Sequence, residues 1–91
     1  MEILQDKGQF YIGDNPADPL AEITYVEAGE KKIIIDHTFV SDELRGQKIG
    51  DKLVARAVQF ARDNNKTVIP LCPFAKAQFD KHPEYQDVLD K

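Results

Sequence analysis

The stretch Val40–Leu53, "VSDELRGQKIGDKL", decides how the chain folds, because the hydrophobic period changes within it. On its N-terminal side, "KIIIDHTF" is a short apolar run. Its three consecutive isoleucines read as a strand covered on both faces, hence a central one. Alternation along that strand would put Ile33, Ile35, His37 and Phe39 on one face, and Ile34, Asp36, Thr38 and Val40 on the other. It would also separate Asp36 from His37 and so exclude a relay between them. On the C-terminal side, Ile49, Leu53, Ala57, Phe60 and Ala61 form a stripe at helical spacing, with Val54 and Val58 beside it. The stretch is thus a strand-to-helix junction, and Gly46 and Gly50 fall in the first turns of the helix. Glycine inside a helix costs about 1 kcal/mol relative to alanine. Two of them, interleaved with Arg45 and Lys48, need a reason.

An anion would supply one. A helix N-terminus offers unpaired N–H groups and a partial positive charge. Glycines let those amides approach a ligand closely, and Arg45 and Lys48 bring charge suited to a pyrophosphate. The competing explanation is a permissive cap at Gly46 flanked by solvated basic residues. Two familiar phosphate loops are excluded. The dinucleotide fingerprint needs three glycines and a later acidic residue, and the Walker loop needs Gly-Lys-Ser/Thr.

Outward from the junction, the first half reads as strands. "EILQDK" and "QFYIGD" meet at Gly8, "NPADP" is a turn, and "LAEITYVEAGEKKIIIDHTFV" holds two strands that meet at Ala28-Gly29-Glu30. Asn64-Asn65 ends the helix, since asparagine tolerates the left-handed conformation. "KTVIPLC" is a buried strand, and strand-helix-strand implies a right-handed crossover between parallel neighbours. "PFAKAQFDK" and "PEYQDVLD" read as two short helices, each opening on a proline. Phe74, Ala77 and Phe79 would pack the first of them, while Asp87 and Asp90 read as a solvated tail. The fold class is α+β: an antiparallel meander leading into one β-α-β unit, as a single domain over residues 1–91.

The 91 residues are 42% hydrophobic and 31% charged, which suits a globular chain rather than a disordered one. A net charge of −4 argues against a nucleic-acid binder. No apolar run reaches the length of a membrane span, and "MEILQDKG" lacks the pattern of a signal peptide. The lone cysteine, Cys72, excludes an internal disulfide and fits a cytoplasmic location. One cysteine and two distant histidines are too few for zinc.

Two residues carry chemistry of their own. With Pro73 in the first helical position, Cys72 is the N-cap, where the helix dipole favours a thiolate. The alternative for Cys72 is a small buried hydrophobe. His37 is a candidate general base, and alternatively is a core histidine satisfied by a carbonyl.

Arg45-Gly46-Gln47-Lys48-Ile49-Gly50 resembles motif A of the GCN5-related N-acetyltransferase superfamily, "R-G-x-G-I-G", with Lys48 in place of the middle glycine. "DHTFV", "RGQKIGDKLV", "VIPLCPFA" and "HPEY", in that order, resemble the very small, minimal acetyltransferases of that superfamily. The resemblance implies a mixed, mostly antiparallel sheet with a β-α-β unit for the cofactor, and acetyl-CoA as cosubstrate without a metal. It implies that Arg45, Gly46, Gln47, Lys48, Ile49 and Gly50 hold the pyrophosphate. Backbone N–H groups around Phe39 and Val40 would stabilise an oxyanion, and Phe74 and Lys76 would touch the pantetheine or nucleotide. His37 and Cys72 would form the active-site pair, and Tyr85 would protonate the departing thiolate. The acceptor is an unidentified amine, a small molecule or peptide, and the chain is expected to be a monomer. The transfer is direct or passes through a Cys72 thioester. The alternatives to an enzyme are a CoA- or acyl-CoA-binding module without turnover and a small interaction domain.

Overall fold

The computed structural model describes residues 2–90. The strands are β1 (Leu4–Asp6), β2 (Gln9–Ile12), β3 (Ala21–Glu27), β4 (Lys32–Val40) and β5 (Thr67–Pro70), and they form one sheet in sequence order. β1 to β4 are an antiparallel meander, and β5 lies parallel to β4. Turn chemistry sets the meander. Gly8 (φ 71°) and Gly29 (φ 77°) take left-handed conformations at two of its reversals. The "NPADP" turn closes with Asn15 Oδ1 accepting from the Ala17 amide at 2.9 Å.

Two helices follow the meander, α1 (Ile49–Asp63) between β4 and β5, and α2 (Pro73–Lys81) after β5. The α1 stripe read from sequence is the buried one: Leu53, Val54, Ala57 and Ala61 are fully enclosed, and Phe60 is half-buried. Its C-terminus is a Schellman motif around Asn65 (φ 56°), with the Lys66 amide donating to Ala61 O at 2.8 Å and the Asn65 amide to Arg62 O at 3.3 Å. Phe10, with no exposed surface, anchors the core between the rings of Tyr25 and Phe60 at centroid distances of 5.5 Å.

Several expectations need correction. Gly46 precedes α1 instead of lying in its first turn; a 3-10 turn (Asp42–Leu44) and a loop intervene. "PEYQDV" is a 3-10 helix (Pro83–Val88), so only one of the two C-terminal helices is α. α2 buries Ala75, Gln78 and Phe79, while Ala77 faces solvent. The acidic tail is fastened down. Asp87 takes a two-pronged hydrogen bond from Arg62 (Nε 3.0 Å, Nη2 2.8 Å). Asp90 pairs with Lys32 at 3.3 Å and accepts from Thr67 Oγ1 at 2.9 Å. Leu89 adds a single parallel bridge to Val68.

The largest correction is in β4. Ile35 pairs with Tyr25 and His37 with Thr24, leaving Asp36 as the extra residue of a β-bulge. The bulge resets the alternation. Ile33, Ile35, Thr38 and Val40 share the core face, since their partners include buried Tyr25, Ile23 and Ala21. His37 and Phe39 are on the opposite, open face with Thr24 and Glu22. Asp36 reaches the same open side, where Thr24 Oγ1 donates to its Oδ1 at 2.6 Å. Asp36 and His37 are therefore neighbours on one face, contrary to the alternation first expected.

Candidate active site

The site begins where β4 outruns β5. Their parallel pairing ends at Ile35↔Pro70, where the chain turns away and the Leu71 and Cys72 amides both donate to Ile35 O (3.0 and 3.1 Å). From Asp36 to Val40, β4 has no strand on that side, so the backbone groups that alternate with those bonded to β3, Thr38 and Val40 among them, face a slot bounded by the start of α2.

At the far end of the slot lies a cleft of about 200 Å³, lined by Val40, Leu44, Arg45, Gly46, Lys48, Ile49, Gly50, Asp51 and Phe74. Its floor is the N-terminus of α1. The first helical bond is from the Lys52 amide to Lys48 O, so the amides of Ile49, Gly50 and Asp51 have no helical acceptor. Lys48, the N-cap, has φ 58° and ψ 35°, a left-handed conformation suited to the glycine of the resembling pattern. Gly46 (φ 86°) has nothing within 4 Å of where a Cβ would stand, so its backbone is open to a ligand. Gly50 is different. A Cβ there would meet the Phe74 ring at 2.8 Å, so this glycine makes room for α2 to pack on α1. The Arg45 guanidinium pairs with Asp42 at 3.0 Å, with both side chains largely in solvent, a contact worth little and easily exchanged.

These residues fit a phosphate-bearing ligand: open amides at a helix start, a glycine without obstruction, and two cations on the rim. Ser41, between two cleft residues, has its hydroxyl oxygen buried without a partner among the described residues. Asp51 and Leu44 line the cleft but carried no sequence signal of their own. The Asp51 carboxylate in the first turn opposes a second anion at its end of the cleft.

The other expected residues are dispersed. Gln47 and Lys76 are exposed and do not line the cleft, and Phe39 is on the open face of the sheet. Tyr85 packs against Phe79 and His82 instead of lining the cleft. Burial first, then the neighbouring Glu84 and Asp51 carboxylates, raises its phenol above the usual value. Cys72 is 8% exposed and meets Thr38 across the slot, Sγ to Oγ1 at 3.5 Å. Burial pushes the Cys72 thiol up. The Thr38 hydroxyl and the amides of Ala75, Phe74 and Thr38 pull it down, and together they leave it below the ordinary cysteine value. The helix amides act on the sulfur without closing a capping hydrogen bond. Thr38 was missed because strict alternation had turned it away from Ile35, and only the bulge brings it round. No hydrogen bond joins His37 to Cys72 among the described residues; His37 is on the open face, and Thr38, the partner of Cys72, is on the core face.

Comparison with known proteins agrees with this architecture. Residues 9–88 match the family described as GCN5-related N-acetyl-transferase. The solution NMR structure of a "GCN5-like putative N-acetyltransferase" from Staphylococcus aureus superposes with a TM-score of 0.82 at 49% identity, covering 98% of this chain and 87% of that one. Among curated proteins, none matches the sequence. The junction, the parallel β4–β5 pair and the family match over most of the chain lead to one conclusion: this protein belongs to the GCN5-related N-acetyltransferase family.

Proposed function

We propose that the protein is an acetyl-CoA-dependent N-acetyltransferase that moves an acetyl group to an amine. The observation that carries this is the cleft at the start of α1, where unpaired amides of Ile49 and Gly50, the open backbone of Gly46 and the charges of Arg45 and Lys48 converge. They suit the pyrophosphate of CoA. The unpaired edge of β4 suits the amides of its pantetheine arm, which would add to the strand as a peptide does. Phe74, over Gly50, supplies an apolar wall between the two.

In direct transfer, His37 accepts the proton from the attacking amine as the C–N bond forms and the C–S bond breaks. The N–H of Val40, which alternates with the β3-paired amides of Phe39 and Ser41 and so faces the slot, stabilises the oxyanion, and the thiolate leaves to be protonated from solvent. Tyr85, outside the cleft, is not assigned that last step. A second route is favoured by the lowered Cys72 thiol beside Thr38: the thiolate attacks the thioester carbonyl, CoA leaves as its thiolate, and the amine then attacks the Cys72 thioester and releases the Cys72 thiolate. The opposed faces of β4 make His37 a base toward the amine, not toward Cys72.

Titration of labelled protein with acetyl-CoA, followed by amide NMR, tests the reading. Shifts are expected at Arg45–Gly50 and along Phe39–Val40. No response there sinks acetyl-CoA as cosubstrate. Binding without release of free CoA against a panel of primary amines would favour a module that holds acyl-CoA without turnover. Intact mass after mixing with acetyl-CoA, with Cys72→Ala as control, separates the covalent route from the direct one.

A further inference from the structure

We propose that the open face of β3–β5 is the acceptor's docking surface, and that it takes a lysine-bearing polypeptide segment in extended form. This rests on the acetyltransferase reading above and adds to it the class of substrate. The buried apolar side chains of α1, α2 and the last 3-10 helix join one cluster with the core-facing residues of the sheet, on its other face. On the open side, the Asn15–Pro16 turn covers only the β2 end, where Gln9 Nε2 donates to Pro16 O at 2.9 Å. Beyond it the face is bare.

What is bare has two characters. Val26, 54% exposed, stands in one row with half-buried Ile34 and Ile69, and Phe39, 41% exposed, stands beyond Asp36 and His37 towards the other end of β4. Beside this apolar row are two carboxylates, each with one oxygen committed. Glu22 accepts from Gln9 at 2.8 Å and Asp36 from Thr24 at 2.6 Å. The second oxygen of each has no protein donor among the described residues. The one strand cation on this side of β3–β5, Lys32, is paired with Asp90 at 3.3 Å. The face is therefore anionic next to His37 and apolar farther along.

That combination selects among amines. Two open carboxylate oxygens attract an ammonium ion, and Phe39 offers a ring face to the same charge. A small polyamine would leave Val26, Ile34 and Phe39 uncovered, whereas a peptide with apolar residues flanking its lysine would bury them. Asp36 is where it is because of the bulge, and the bulge also turns His37 outward. One distortion thus places a cation-binding group next to the proposed proton acceptor.

The test is an amide NMR titration of the intact protein with hexapeptides that have a central lysine between apolar residues. Norleucine-for-lysine peptides and spermidine are the comparison arms. The lysine peptide is expected to shift resonances from Glu22 to Val26 and from Ile34 to Phe39, and the norleucine peptide to shift them far less. Asp36→Asn and Glu22→Gln, both conservative changes at non-core positions, are each expected to weaken binding about two- to fivefold, the scale of an exposed ion pair. Spermidine binding as tightly and at the same residues would overturn the peptide in favour of a small amine. No shifts on this face with any lysine peptide would overturn the docking surface itself. Acetyl-CoA added to the same samples keeps the two proposals apart. Shifts at Arg45–Gly50 alone leave the acetyltransferase standing without this surface, and shifts on the open face alone do the reverse.

Discussion

Gly50 and Cys72 show how a single side chain, or its absence, tunes the site. For Gly50→Ala, helix propensity favours the variant by about 1 kcal/mol. The new methyl would collide with Phe74, but the colliding atom is the tip of a ring 39% exposed, which can swing aside. Propensity offsets the clash, so the melting temperature is expected to hold or rise slightly while acetyl-CoA binding weakens because the wall of the cleft has moved. Calorimetry and ligand titration on the same variant read both halves. For Cys72, the ultraviolet absorbance of the thiolate should titrate below the ordinary cysteine range, and Thr38→Val should move the midpoint upward by removing a donor to the thiolate. A folded value below the unfolded one gives stability that is present above the unfolded pKa and is lost as pH falls through the folded value. Unfolding free energy is therefore expected to rise with pH between those two values in the wild type, and to rise less in Thr38→Val.

At the scale of elements, local chemistry decides where each piece begins and ends. The α1 C-terminus depends on Asn65 in the left-handed region. Asn65→Ala is expected to cost about 1 kcal/mol, read by denaturant unfolding, with Asn65→Gly near neutral. Signals of this kind were legible in the sequence: Asn64-Asn65 as a stop, Pro73 as a start, the α1 stripe, and the hairpins at Gly8 and Ala28–Glu30. The motif from Arg45 to Gly50 was legible too, and most of its members share one cleft. The bulge was not legible. Nothing in "KIIIDHTFV" distinguishes an extra residue from a regular strand, because the cause is pairing with β3, a non-local event. Every misplacement of His37, Phe39 and Thr38 follows from that one unread residue. The tail was misread for a similar reason, since the partners of Asp87 and Asp90 are Arg62 and Lys32, far away in sequence.

For the whole molecule, the question is how much loss one small core tolerates. A chain of this size has roughly 5–14 kcal/mol of stability in hand, at 0.05–0.15 kcal/mol per residue. Phe10 is fully enclosed, stacks on Tyr25, meets Phe60 edge-to-face, and has the Arg56 guanidinium 4.7 Å above its ring. Phe10→Ala is expected to cost about 3–5 kcal/mol, lowering the denaturant midpoint sharply with little change in slope. The bulge at Asp36 lies at the other extreme. In the language of the gene, it is the one codon of β4 that the ladder does not use. An in-frame deletion of Asp36 leaves Ile35 opposite Tyr25 and His37 opposite Thr24, with every side chain on its present face. Such a deletion is expected to yield a folded protein whose β4 runs straight and whose acceptor face has lost a carboxylate, as circular dichroism and amine-dependent CoA release would report. Most deletions inside a central strand destroy a domain; this one separates the frame that folds the chain from the residue proposed to meet the acceptor.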